Sequence, residues 1–155
     1  MDAGAEQRAL FRRWPAGVSV VVAEVDGRRH GLTVSSLVSL SLDPALVCIS
    51  IAHQASLHEL LRDAGEWAAS LLAGGQEKLA QHFARSVPPI ALWNGIELRD
   101  DDPRLLAGAS GWLVARTVDE LRTGDHTFFV GEIVSIEEGS AADSLTYVHR
   151  GYKAV

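Results

Sequence analysis

Two short polar stretches in this 155-residue chain carry the residue types that do chemistry. One is Gly124-Asp125-His126, where an imidazole that titrates near neutral pH stands beside a carboxylate able to orient it. Between two apolar runs it reads as a tight turn with the histidine at a strand start, and alone it is equally a solvent-exposed hairpin. The other is "HGLTVSSLVSLSLDP", residues 30 to 44, which has nothing ionisable between His30 and Asp43 but carries Thr33, Ser35, Ser36, Ser39 and Ser41. Small hydroxyls among Leu and Val suit two tasks: satisfying nearby backbone, or hydrogen-bonding a polar ligand without adding charge. On a strand, Thr33, Ser35, Ser39 and Ser41 share a face only if no bulge intervenes, and Ser36 takes the other. Downstream, Ser50 to Ser56 runs into a helix start, whose free amides and positive dipole end suit an anion. The chain end "HRGY", His149 to Tyr152, is polar and by itself uninformative.

Many chemistries lack their motif. There is no Walker loop, G-x-G-x-x-G, H-E-x-x-H or G-x-S-x-G. Of the six histidines, His53 and His58 lie five apart and His126 and His149 fall on separate strand ends, so no zinc site is expected. A single cysteine, Cys48, excludes an internal disulfide and a thiolate metal centre and makes a reducing cytoplasm the default. A net charge of −6 argues against a nucleic-acid surface. No run approaches the roughly 20 apolar residues of a membrane span, and "MDAGAEQRALFRRW" has no apolar stretch before its charges, so neither a membrane segment nor a signal peptide is expected. The four tryptophans are spread through the chain and read as core or interface.

The elements that must position these residues follow from pattern. The 47% hydrophobic and 22% charged composition belongs to a folded protein, and the length suits one domain over residues 1–155. "AEQRALFRRW" reads as a helix stopped by Pro15. "GVSVVVAEV" is a strand with Val18, Val20 and Val22 on one face and Val21, Ala23 and Val25 on the other; Asp26-Gly27 turns it, and the hydroxyl-rich stretch returns as one strand. Asp43-Pro44 marks a turn before "ALVCISIA", a central strand. "SLHELLRD" shows a capping-box pattern, Ser56 with Glu59 three residues on. A strand "EWAASLLA", a helix "GQEKLAQHFARS" and an irregular segment over residues 86–108 follow. Two long strands, "GWLVARTVDEL" and "HTFFVGEIVSIEE", are joined through "RTGD", and "SLTYVHR" is a last short strand. Five or more strands with antiparallel connections and short helices predict a mainly β fold, a small barrel.

The order and spacing of these pieces resemble the short flavin reductase-like family, reductase partners of two-component flavin monooxygenases. The resemblance rests on "FRRWPAGVSVVVAEVDGRRHGLTVSSLVSLSLDPALVCISI", "WAASLLAGGQEKLAQHFA", "GWLVARTV", "TGDHTFFVGEIVSI" and "LTYVHRGY", nearly the whole chain. It implies a Greek-key FMN-binding split barrel, homodimeric, that takes FMN or FAD as flavin and NADH or NADPH as reductant. It places Gly31, Thr33, Val34, Ser35 and Ser36 along the flavin ring and ribityl chain, with Ser39 nearer the phosphate. Ser50, Ile51, Ala52, Gln54 and Ser56 would complete the phosphate site, with His82, Phe83 and Ala84 flanking it. Gly124, Asp125, His126, His149 and Tyr152 would border the nicotinamide, with His126 as the catalytic histidine.

The implied chemistry explains the missing motifs. Hydride passes from nicotinamide to flavin, so the cofactor makes the bonds and the protein supplies orientation, for which amides and small hydroxyls suffice. Three departures stand out. Gln54 and Ser56 occupy positions where many relatives carry Lys or Arg, so a phosphate would rest on neutral donors and the flavin would exchange readily, as a substrate does. Ser70 replaces a common asparagine, and "HRGY" is one residue shorter than the usual ending. The expected activity is an NAD(P)H:flavin oxidoreductase supplying reduced flavin to a monooxygenase. The alternatives are a flavin- or haem-binding split-barrel module with little turnover, and a same-fold oxidase of a small amine.

Overall fold

The valine run after Gly17 is buried on both sides, and this divides the molecule into two layers. The computed structural model describes residues 1–155: β1 (Ala16–Gly17) leads into β2 (Ser19–Val25), whose Val21 and Ala23 join an inner apolar cluster while Val20 and Val22, with Val18 just before the strand, join an outer one. Asp26 and Gly27 both take positive φ, 51° and 78°, and form the tight turn to β3 (Arg28–Val34).

The hydroxyl-rich stretch is two strands, not the expected one. β3 pairs with β2, whereas β4 (Val38–Leu42) pairs with β5 (Ala45–Ala52) after the Asp43-Pro44 turn. With β6 (Glu66–Leu71), β7 (Gly111–Thr123) and β8 (His126–Glu138), they form an antiparallel seven-stranded sheet in the order β3-β2-β6-β7-β8-β5-β4. The connected strands β3 and β4 are thus its two edges. Flat, those edges would lie about 29 Å apart at six strand spacings of roughly 4.8 Å. The chain from Val34 to Val38 spans at most about 14 Å, so the sheet must curl into a barrel split between β3 and β4.

α2 (Ser56–Ala64) inserts Leu57, Leu60 and Leu61 into the inner cluster beside Trp67 and Phe129. It connects β5 to β6 and ends on Gly65 at φ 70°. The expected capping box does not form. The helix begins one residue early, with Ala55 at the N-cap and no side-chain cap bond, while the Glu59 carboxylate takes His58 Nδ1 at 2.9 Å and pairs with Arg62. α3 (Glu77–Ala84), α4 (Pro89–Leu92) and the loop to residue 108 cover β2 and β3 from outside, through Phe83, Leu92 and Leu106. Ser70 explains its own presence: fully buried, its hydroxyl accepts the Leu106 N–H at 2.9 Å and ties this loop to β6.

The C-terminal end differs as well. "SLTYVHRGY" folds back as β9 (Leu145–Val148) and β10 (Gly151–Ala154), which join β1 in a three-stranded sheet. The two turn residues, His149 and Arg150, take φ of 51° and 64°. α1 (Ala3–Phe11), capped by Asp2, starts two residues before the pattern predicts and buries none of its residues. No helix is long and apolar enough to cross a membrane.

Candidate functional site

The candidate residues gather around the ends of β3, β5 and β8. Ser36 lies in the connection between the two barrel edges, where its hydroxyl donates to the Ser50 carbonyl at 3.0 Å and accepts the Ser50 N–H at 3.1 Å. That double bond clips the hydroxyl loop to β5. On the other side of β5, Ser50 pairs with Phe128 and Ala52 with His126, and the His53 N–H reaches the Asp125 carbonyl at 2.9 Å. The hydroxyl loop, the Ser50–Ser56 stretch and the Gly124–His126 turn are therefore neighbours.

The five hydroxyls divide their work. Thr33 donates to the Ala80 carbonyl of α3 at 2.7 Å and Ser36 serves Ser50, so both satisfy backbone. Ser35 and Ser39 stay exposed and available. A register shift in the β4–β5 ladder falls between Ser39 and Ser41, so the condition for a shared hydroxyl face fails.

Several implied contact residues have their side chains elsewhere. Val34 and Ile51 are buried in the inner cluster, leaving only backbone to face a ligand. Phe83 is 1% exposed and packs edge-on with His82 and beside Trp93. Gly31 lets it do so, since a Cβ there would meet the Phe83 ring at 3.1 Å. His82 Nε2 lies 2.7 Å from the Leu92 carbonyl, which commits it to α4. Ala84, Gln54 and Ser56 are exposed, and Ser50 and Ala52 half-buried. Tyr152 stacks on Tyr147 with centroids 5.0 Å apart, and burial pushes its hydroxyl above the ordinary range.

A flavin phosphate fits the donors present. Because Ala55 offers no side-chain cap, the first amides of α2, beside the exposed Ser56 hydroxyl, have no side-chain acceptor, although the His58 N–H donates to the Ala55 carbonyl at 3.0 Å. Ser56 opens on a cavity of about 730 Å³ that the carboxylates of Glu24 and Glu59 line together with Arg28, Arg29 and His30, basic residues that sequence reasoning missed. Their charge is largely engaged: Arg28 pairs with Asp63 at 3.5 Å, and Arg29 donates to the Pro103 carbonyl and lies over Trp93 at 4.1 Å. Burial holds His30 below its ordinary value, so it is neutral at pH 7.

His126 is oriented by its neighbour. Nδ1 lies 2.7 Å from Asp125 Oδ1, which fixes the Nδ1–H tautomer and leaves Nε2 free on a side chain that is 43% exposed. The hydrogen bond from His126, reinforced by its charge, holds the Asp125 carboxyl below its usual range.

Behind the turn is a network that the sequence concealed. Thr127 Oγ1 lies 2.7 Å from His58 Nε2 and 3.1 Å from His53 Nε2, and the two imidazole centroids are 5.1 Å apart. The spacing of five thus does bring His53 and His58 together, through a hydroxyl; no group of three His, Cys, Asp or Glu is arranged to hold a metal ion. Glu59 demands a proton on His58 Nδ1, so in the neutral ring Nε2 accepts from Thr127, whose oxygen accepts from His53. A directed chain results: His53 to Thr127 to His58 to Glu59. The hydroxyl immediately after Gly-Asp-His was the one available signal.

Comparison with known proteins sets this geometry in context. The family model described as "Flavin reductase like domain" matches residues 11–155. The reductase component of 4-hydroxyphenylacetate 3-monooxygenase from Thermus thermophilus is 35% identical over 147 residues, 94% of this chain and 93% of that protein. An NADH:FMN oxidoreductase of Rhodococcus erythropolis is 34% identical, covering 94% of this chain and 78% of that one. The solved NADH:FAD oxidoreductase of Streptomyces globisporus C-1027 superposes with a TM-score of 0.91 at 29% identity, over 99% of this chain and 94% of the other.

Proposed function

The chain belongs to the flavin reductase-like family, and from that premise we propose that it is an NAD(P)H:flavin oxidoreductase that reduces FMN or FAD and supplies the reduced flavin to a separate monooxygenase. The carrying observation is the Ser36–Ser50 clip, which sets a hydroxyl loop, a free helix N-terminus and an oriented histidine around one strand end. Bound flavin supplies the hydride acceptor. The protein's residues bind and orient: exposed Ser35 and Ser39 and the backbone of residues 34–36 and 50–52 border the ring, while the α2 amides with Ser56 hold the phosphate. His126, with Nε2 turned outward, borders the nicotinamide. With no free cation committed to the phosphate, flavin exchanges between turnovers.

The test follows the nicotinamide absorbance band. Purified protein mixed with NADH should oxidise it only when FMN or FAD is added, and reduced flavin should pass to a monooxygenase under anaerobic transfer. Absence of flavin-dependent oxidation with either nicotinamide nucleotide would leave a binding module instead.

A homodimer completes the reading. Val38, Leu40 and Leu42 on edge strand β4 are 49%, 45% and 89% exposed, and Val134 and Ile136 on β8 are exposed as well. An apolar, unpaired strand edge of this kind needs a cover, and a second copy supplies one by twofold pairing. The cytoplasm suits it: Cys48 is a free, buried thiol.

A further inference from the structure

Gln54 and Ser56 leave the phosphate without a fixed cation, yet histidines flank them: His53 directly before Gln54, and His58 two residues after Ser56. Both imidazoles face a cavity of about 400 Å³ that no apolar residue lines. Glu59 lines this cavity and the one at Ser56, so the two adjoin across the first turn of α2. The charged groups around the imidazoles come from three places. α2 brings Glu59 and Arg62, and β7 brings Glu120 and Arg122. The turn before β8 brings Asp125, whose carbonyl takes the His53 N–H, with His126 beside it. Arg62 is divided between Glu59 at 3.6 Å and Glu120 at 3.3 Å, and Arg122 forms no ion pair. Glu59, Glu120 and Asp125 against Arg62 and Arg122 leave these surroundings one positive charge short. An anion arriving at Ser56 deepens that deficit, and imidazole is the side chain that can answer it near neutral pH.

The chain His53–Thr127–His58–Glu59 can hold the missing charge with no heavy atom moved. A proton arriving at Nδ1 of the half-buried His53 lets the Nε2 proton pass to Thr127 Oγ1, and the Thr127 proton pass to His58 Nε2, over contacts of 3.1 and 2.7 Å. His58 is then an imidazolium that donates to Glu59 at 2.9 Å and to Thr127, a charge-assisted pair on a side chain 7% exposed. Thr127 serves either form equally, donating to the neutral ring and accepting from the protonated one. Two imidazoliums with centroids 5.1 Å apart would repel, so the pair takes one proton and not two. Other histidines at this end are worse placed: burial works against a charge on His30, and His82 is committed to the Leu92 carbonyl. Resting on the reductase reading, we propose that a flavin phosphate binding at the α2 N-terminus draws one proton onto the His53–His58 pair, and that this imidazolium supplies the positive charge that Gln54 and Ser56 do not.

A proton taken up on binding makes affinity highest at the acid end and lost as pH rises, by at most about tenfold per pH unit. Above about pH 7 a phosphate monoester is already a dianion, and its own titration on binding would release protons, the opposite sign. Calorimetry of FMN binding at about pH 7.5, in buffers of different ionisation enthalpy, counts the protons. Uptake should approach one per FMN and be absent with riboflavin, which lacks the phosphate. Between about pH 7 and pH 9 the FMN Kd should rise about tenfold while that of riboflavin holds. His53→Gln/His58→Gln should abolish the uptake and flatten the FMN profile, whereas His30→Gln should leave the uptake in place. Should the double variant fail to fold, the wild-type count and His30→Gln still decide. FMN bound without uptake overturns the proposal, as does uptake that survives the double variant, uptake lost in His30→Gln, or equal pH dependence for riboflavin. FMN that binds with uptake but is reduced by neither NADH nor NADPH strikes the reductase reading alone, and no flavin binding at any pH strikes both.

Discussion

At the scale of single residues, two neighbours on β8 divide the labour of one turn. His126 faces outward with its ring fixed by Asp125, so His126→Ala should slow hydride transfer about tenfold or more while the flavin Kd holds. Stopped-flow reduction at saturating NADH measures it, and unchanged turnover would remove His126 from the site. Thr127, 7% exposed, faces inward and its single hydroxyl joins His53 to His58. The His53 backbone in turn holds the Asp125 carbonyl. Thr127 is thus a positioning residue. Thr127→Val should cost about 1–3 kcal/mol of stability, because His58 Nε2 is left buried without a partner, and should raise the KM for NADH with flavin affinity kept. Thr127→Ser should restore both. A loss of stability in the valine variant with no change in KM would reduce the network to packing. Little of this could be read from sequence, where His53, His58 and Thr127 belong to three separate segments; only the contiguous Asp125-His126 and the hydroxyl that follows them were legible.

At the scale of elements, what the sequence revealed depended on whether the partner was local. The valine run of β2 declared its two buried faces by alternation, and Asp26-Gly27 its turn, because both signals lie within a few residues. The break at Ser35–Leu37 went unread although the alternation falters there, Ser35-Ser36 and Leu37-Val38 each pairing residues of one kind. The pairing of β3 with β2 and of β4 with β5, which divides the stretch, is long-range. The capping box failed for a similar reason: Glu59 found His58 and Arg62, stronger partners than a backbone amide. Ser70 is the reverse case, a residue opaque in sequence and plain in structure. Ser70→Ala should orphan the buried Leu106 N–H and destabilise by about 1–3 kcal/mol. A lowered urea midpoint with unchanged m-value checks it, and Ser70→Asn tests whether the longer amide serves the same donor.

At the scale of the whole molecule, one ion-pair network fastens the outer layer to the barrel and sets its acid limit. Arg104 holds Asp102 at 2.8 Å and Glu66 of β6 at 2.9 Å, with Arg104 21% and Asp102 18% exposed. Burial alone would push the Asp102 carboxyl up; the hydrogen bonds and charge of Arg104 outweigh it and hold the group below its ordinary value. The same contacts raise the already high value of Arg104. A carboxyl depressed on folding contributes stability that is complete above its unfolded value, about 3.9, and is lost as pH falls through the lower folded one. Acid should therefore loosen the loop over residues 99–106 before the barrel, whose inner apolar cluster contains no carboxylate. Arg104→Met should lower stability at pH 7 by about 1–2 kcal/mol and shrink the difference between variant and wild type as pH drops below 4. Amide exchange resolved by segment provides the measurement: protection at Leu105 and Leu106 should fall with pH ahead of protection at Ile49 and Phe129. Simultaneous loss in both layers would mean that the outer layer and the barrel unfold as one unit, with Arg104 merely one contact among many.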